Sequence, residues 1–311
     1  MMIFAGGKMR MRSEKGCVQA GSALLCCLLM WTGAQIMPEN AAEPEPAVLC
    51  KSGVYTLYAG MTAETYAWPL YEKEQDTGYL FCAEEGTGAA DGGEKCISMR
   101  RTVGGYVPLE GDVLLQPDAL YALCEMRNDY PLQEGVRFYR GYMTRAEQDA
   151  WRAEAIQRYE KLGLPAGCCP VPEGGKSEHQ LGLAVDVKLM GKMNMTEKDP
   201  LKRNPAGQWL AENMWQYGFV YDGDFSGCEG IHLRYVGRGH ARMMHLLGMN
   251  MQEYLTFLQK NKTVTLMHGE TMIACVQCVT EGEETVLLPQ GMRKEISRDN
   301  RGNIILYCWA E

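Results

Sequence analysis

Histidine is scarce in this chain of 311 residues: there are five. Any site built on imidazole must therefore draw on a very short list. Basic residues are also in deficit, 31 Lys and Arg against 39 Asp and Glu, for a net charge of -8. A nucleic-acid partner is excluded on that balance, because neutralising phosphates needs clustered Lys and Arg, and no basic stripe occurs beyond the extreme N-terminus. No glycine-rich loop followed by lysine is present, which argues against nucleotide chemistry. Internal repeats and low-complexity tracts are absent too. Charge itself is missing from Cys17 to Met37, a run of 21 residues.

That uncharged run has a strongly apolar centre from Ala23 to Trp31 and is close to the ~20 residues a helix needs to span a bilayer. Lys8, Arg10, Arg12 and Lys15 precede it, and Glu39, Glu43 and Glu45 follow. The asymmetry predicts an N-terminus inside and the remainder outside the cell membrane. We read 1–16 as a cytoplasmic tail and 17–37 as a transmembrane anchor, with a cleaved signal peptide as the alternative. Residues 38–49, rich in Pro and Glu, read as a linker.

Apolar residues make up 46% of the chain, enough for a substantial core. Residues 50–111 carry short β-like runs, such as Val54 to Tyr58, broken by Gly-rich turns. From Gln116 the pattern changes. Pro117 opens a helical run through Ala119, Leu120, Ala122, Leu123 and Met126. A strand is predicted at 135–139. Thr144 with Glu147 has the spacing of a capping box and opens a helix to about Tyr159. Further expectations are a strand over 183–189, a helix over 208–217 ended by Gly218, and a strand over 230–237. Helices over 241–259 should break near Gly248. After residue 261 the pattern is β, with strands at 263–267, 272–279, 285–288 and 303–309, and it reads as a separate small module. The class is α+β.

Of 13 cysteines, ten lie beyond the apolar run, where disulfides persist if the topology holds. Cys82 and Cys96 flank a Gly-rich loop and are a candidate pair. Cys275 and Cys278 have CxxC spacing, but a zinc ribbon needs a second such pair, so two ordinary cysteines is the better reading. Cys168 or Cys169 with His179 is a rival nucleophile pair, disfavoured by the consecutive cysteines.

Two histidines sit in segments that read as halves of one metal site: SEHQLGLAVD, residues 177–186, and EGIHLRY, residues 229–235. A hydrolytic zinc needs three N and O ligands and an open position. His179, Asp186 and His232 supply that set. A non-ligating carboxylate must then carry the proton, and Glu229 stands three residues before His232. His240 and His245, on a helix, and His268, in a turn, read as packing or surface residues.

The wording of the region goes further than its spacing. SEHQLGLAVDV resembles the SxHxxGxAxD signature of the VanY-type D,D-carboxypeptidases, a family of metallopeptidases. EGIHLRYVG resembles that family's ExWHxRYVG, and QWLAENMWQYGFV the helix and turn before it. The resemblance covers about residues 112–260. It implies a small antiparallel sheet with helices around a zinc cleft, and Zn2+ held by His179, Asp186 and His232. It implies Glu229 as base, with Ser177 orienting the loop or meeting substrate. It implies peptidoglycan stem peptides ending in D-Ala-D-Ala as substrate. Two positions depart from the pattern. Met143 stands where the family has a substrate-binding arginine, and Arg140 is the candidate replacement, with Arg145 the second. Ile231 stands where the family has Trp, and is expected to reshape the pocket. An endopeptidase, an L,D-carboxypeptidase, and a non-catalytic wall-binding or sensor protein are the alternatives.

Overall fold

The computed structural model describes residues 48–60, 63–70, 78–82, 92–103, 111–128, 135–221, 230–280, 282–283 and 285–310. The expected anchor at 17–37 and Glu229 lie outside the described residues. Among the described residues no helix is long and apolar enough to cross a membrane.

The strands are β1 (Val48–Ser52), β2 (Tyr55–Ala59), β3 (Thr65–Pro69), β4 (Ile97–Ser98), β5 (Leu114–Leu115), β6 (Val136–Arg140) and β7 (Ala184–Leu189). They continue with β8 (Phe219–Tyr221), β9 (Ile231–Tyr235), β10 (Thr263–His268), β11 (Thr271–Thr280), β12 (Thr285–Pro289), β13 (Arg293–Arg298) and β14 (Asn303–Trp309). The helices are α1 (Met99–Thr102), α2 (Pro117–Asn128), α3 (Arg145–Lys161), α4 (Pro205–Asn213), α5 (Arg238–Leu247) and α6 (Met251–Asn261).

Local sequence explains most of these limits. The Thr144 side chain accepts from the Glu147 amide and Glu147 answers at the Thr144 amide, so both halves of the capping box start α3. Gly248, at φ 64°, ends α5, and an Asn250–Glu253 capping box starts α6. Gly218, at φ 87°, ends the turn of 3-10 helix that extends α4. Pro205, at the first position of the Asn204-capped α4, fits its first turn, where its missing amide hydrogen costs nothing.

The middle of the chain builds a four-stranded antiparallel sheet in the order β6-β7-β9-β8. One of its faces carries Phe138, Val185, Val187, Ile231 and Leu233 in a core shared with Leu120, Leu123 and Met126 of α2. Each fully buried aliphatic side chain contributes about 1.5–3 kcal/mol, so this packing sets the sheet against α2 and holds its other residues in place.

The two flanking β regions are not separate modules. β1 and β2, from the N-terminal side, join the C-terminal strands in one sheet of order β1-β2-β10-β11-β14-β13, and β3 pairs with β12. Residues 45–311 form one compact unit. β1 also begins at Val48, inside the expected linker. The reason is burial: Leu57 of β2 needs a cover and finds it with Val264, Leu266 and Val276.

The cysteines also differ from expectation. Cys82 and Cys96 are not bonded to one another. Gln252 donates to the Cys82 sulfur, and Cys96 donates to the Gly92 carbonyl. Cys275 and Cys278 lie three apart on β11 and so face opposite sides of its sheet. Cys275 packs with Val279 and Leu288, whereas Cys278 packs with Val264 and Val276.

Candidate active site

Register does what sequence distance cannot. Asp186 of β7 is directly opposite His232 of β9 and opposite Arg140 of β6. Three polar residues thus form one row across three strands, with an irregularity between Phe138 and Arg140 that sets the end of β6. His179 reaches the same point from a 3-10 turn, Glu178–Leu181, that closes on Gly182 at φ 67°. A β-carbon at Gly182 would lie 2.3 Å from the Cys96 sulfur, so the turn needs glycine both for its conformation and for the close approach.

His179, Asp186 and His232 are all buried, and one ligand atom from each lies within 4.8 Å of the others. Asp186 Oδ1 is 3.3 Å from His179 Nε2 and 2.9 Å from His232 Nδ1. The nitrogens on the far sides are occupied. His179 Nδ1 is 2.8 Å from the Gly141 carbonyl oxygen, which it meets as donor when the ring is neutral. His232 Nε2 is 3.2 Å from Glu178 Oε2. Each ring is therefore fixed so that its remaining nitrogen faces Asp186, the arrangement in which outer partners orient metal ligands.

Glu178 is a site residue that sequence reasoning passed over. It is buried, and burial alone would push its carboxyl up. The Arg234 guanidinium and the hydrogen bond to His232 outweigh that and hold it below the usual range. Arg234 Nε is 3.7 Å from Glu178 Oε1, and its Nη2 donates to the Tyr79 and Phe81 carbonyls at 3.0 and 2.9 Å. Arg234 lies two residues after His232 and on the same face of β9. The only sequence signal was Glu178 standing beside His179. Adjacent residues in a helical turn point apart, so spacing gave no reason to join Glu178 to His232.

Arg140 does reach the site, in a different posture from a free clamp. Its Nη1 donates to Asp186 Oδ2 at 2.7 Å, and its guanidinium lies 3.6 Å from the centre of the Trp151 ring. Asp186 is consequently held on both oxygens. Burial would raise its carboxyl, but His179 and His232 bring it well below the usual range.

Ser177 and Glu178 line the cleft with Trp151, Pro172 and the three-residue cluster. Met143 is not part of that wall among the described residues; its amide donates to the His179 carbonyl at 3.3 Å, so its backbone supports the turn that carries His179. Ile231 is not brought to the cleft either. It packs in the core on the face of β9 opposite His232, which corrects the expectation that it shapes the pocket. The remaining histidines lie outside the cluster: His240 is buried against Tyr254 and Tyr307, while the exposed His245 stacks on Trp215 at 4.5 Å and the exposed His268 lies against Tyr55.

Comparisons with known proteins point to the same region. A family model described as VanY, D-alanyl-D-alanine carboxypeptidase, matches residues 113–238. A D-alanyl-D-alanine carboxypeptidase of Enterococcus faecium is 30% identical over 215 residues, covering 66% of this chain and 64% of that protein. The chain thus spans just under two thirds of that relative's length. A bifunctional D-Ala-D-Ala dipeptidase and carboxypeptidase of Enterococcus gallinarum is 30% identical over 160 residues, covering 47% of this chain and 80% of that protein. Among solved structures, a vancomycin-resistance D,D-dipeptidase with a D-Ala-D-Ala phosphinate analogue superposes with a TM-score of 0.61 at 19% identity. That match covers 79% of this chain and 99% of the other, and it shows a shared fold.

Proposed function

Since the chain belongs to the VanY-type D-alanyl-D-alanine carboxypeptidase family, we propose that it is a zinc-dependent carboxypeptidase that removes the terminal D-Ala from peptidoglycan stem peptides ending in D-Ala-D-Ala. The observation that carries this reading is the buried row of His179, Asp186 and His232, with the outer nitrogen of each ring already engaged. Two neutral imidazoles and one carboxylate are a donor set that suits zinc and leaves it net positive. His179 through Nε2, His232 through Nδ1 and Asp186 through Oδ1 would hold it. A zinc ion there supplies a Lewis acid that polarises a carbonyl and acidifies water.

The chain's own residues account for the rest. Glu178 holds His232 in the orientation that presents Nδ1. Gly141 does the same for His179 through its carbonyl. Arg140 occupies the outer oxygen of Asp186 and leaves the inner one for the ion. We assign the remaining N–H groups of Arg140, on a side chain 20% exposed, to the carboxylate of the substrate's last residue. That gives the chain a cation in place of the one lost at Met143. Glu229 is assigned the proton transfer, taking it from water and passing it to the leaving amine. Ser177, in the cleft wall, is assigned to the substrate backbone. The apolar run at 17–37 would keep the domain at the outer face of the cell membrane, where stem peptides are found.

The test is to incubate the purified chain with a pentapeptide ending in D-Ala-D-Ala, with and without a chelator, and to assay free D-alanine and bound zinc. Zinc-dependent release of one D-Ala supports the assignment. Zinc bound without release of D-Ala would point to a different bond, as in an endopeptidase or L,D-carboxypeptidase.

A further inference from the structure

A second cleft, of about 510 Å3, opens where the first turns of α5 meet the edge of the six-stranded sheet. It lies away from the metal cluster. Tyr235, in its wall, is three residues from His232 on β9 and so projects from the opposite face of that strand. Its size falls within the range of small-molecule sites, about 300–1,000 Å3.

Two unlike charges share this cleft without neutralising each other. Glu295 is the cross-strand neighbour of Tyr307, and its Oε1 is buried with no hydrogen-bond partner. Burial, with Asp118 next in effect, raises its carboxyl to about 7. Arg242 is half-buried on α5, and its charge acts on Tyr307, yet no carboxylate lies within ion-pair reach of it among the described residues. Arg238, one turn earlier, is already bound to Glu125. Between the two charges the wall is aromatic. Tyr307 and Trp309 project from one face of β14 with ring centres 5.7 Å apart. Gly239 permits this shape, because a β-carbon there would lie 2.2 Å from the Tyr307 ring.

A buried polar group without a partner costs free energy that a ligand can recover. A phosphate or other plain anion would meet the Glu295 oxygen, and a plain cation would meet Arg242. A molecule carrying both charges satisfies both. We propose that this cleft binds a short zwitterionic peptide, with its ammonium group on Glu295, its carboxylate on Arg242 and its chain against the Trp309 ring. The volume suits a di- or tripeptide better than a single amino acid. Ammonium binding at Glu295 also favours the ionised carboxyl there, and carboxylate binding at Arg242 makes a charge-assisted hydrogen bond of the stronger kind.

The test uses the full chain and triglycine as probe, measured by isothermal titration calorimetry. Triglycine is expected to bind wild-type protein and His179→Ala with equal affinity, since the metal cluster is not involved. Arg242→Gln and Glu295→Gln should each weaken it about tenfold or more. N-acetyl-triglycine and triglycine amide should be weakened as much on wild-type protein, an arm that needs no folded variant. The proposal is overturned if triglycine does not bind, if both blocked peptides bind as well as the free one, or if binding disappears in His179→Ala. The last result would place the peptide at the metal cluster instead.

Discussion

Replacing Glu178 with Gln isolates one charge behind His232, one of the three residues proposed to hold the zinc. Glutamine keeps the size of the side chain and can still hydrogen-bond His232 Nε2. It removes the negative charge that lies 3.2 Å from that nitrogen and 3.7 Å from Arg234. Loss of an outer carboxylate behind a metal-binding histidine typically costs about 10–100-fold in metal affinity or activity, or about 1.4–2.8 kcal/mol. A second cost falls on the fold. Arg234 is 1% exposed and would lose its carboxylate. Breaking a buried ion pair from one side costs about 3–5 kcal/mol, but Arg234 keeps the Tyr79 and Phe81 carbonyls, so about 1–3 kcal/mol is the expected loss. Zinc affinity is read by competition with a chromophoric chelator, and stability by chemical denaturation of the metal-free protein. Glu178→Asp should recover part of the zinc affinity. A Glu178→Gln protein with zinc affinity within twofold of wild type would refute the orienting role.

Other perturbations follow from the same geometry. Arg140→Ala should lower kcat/KM by about 30–1,000-fold, the equivalent of 2–4 kcal/mol, and Arg140→Lys, which keeps the charge without the planar stack on Trp151, should fall between the two; steady-state kinetics with zinc-saturated protein decides. Gly239→Ala should destabilise the chain by about 1–3 kcal/mol, because its new methyl meets the Tyr307 ring, and a thermal melt reads that loss. Glu295 sits near Asp118, Tyr79, Tyr235 and Tyr307, and its carboxyl is raised from 4.5 to about 7. A raised folded value means stability present at low pH and lost as pH climbs from 4.5 to 7, by about 1–3 kcal/mol after allowance for partial exposure. Denaturation curves at pH 4.5 and pH 8 should show that difference shrinking in Glu295→Gln.

What could be read from the sequence was what is local or worded. Thr144 and Glu147 form their capping box within four residues, and Gly248 breaks its helix where a left-handed residue is needed. The His179, Asp186 and His232 cluster was legible because the order of residues around His179 and Asp186 matches a family signature, and the sheet then brings Asp186 opposite His232. What was missed depends on distant pairing. Nothing in residues 48–59 announces strands 263–268 as their neighbours, since the pairing is fixed by shared burial of Leu57 with Val264 and Leu266. β13, from Arg293 to Arg298, was overlooked because its one aliphatic residue, Ile296, gives no alternation on an edge strand. Ile231 could have been placed, because a residue next to His232 on a strand must face the other way. The role of Glu178 could not, because its partners come from a strand some fifty residues further on.

The central claim is that His179, Asp186 and His232 hold a zinc on which hydrolysis depends. Its most direct test is a zinc titration of chelator-stripped protein, with D-alanine release from a pentapeptide recorded at each addition. The account predicts no release without metal, a rise that ends at one zinc per chain, and no rise in Asp186→Ala. Full release from the stripped protein, or an unchanged titration in Asp186→Ala, would contradict it.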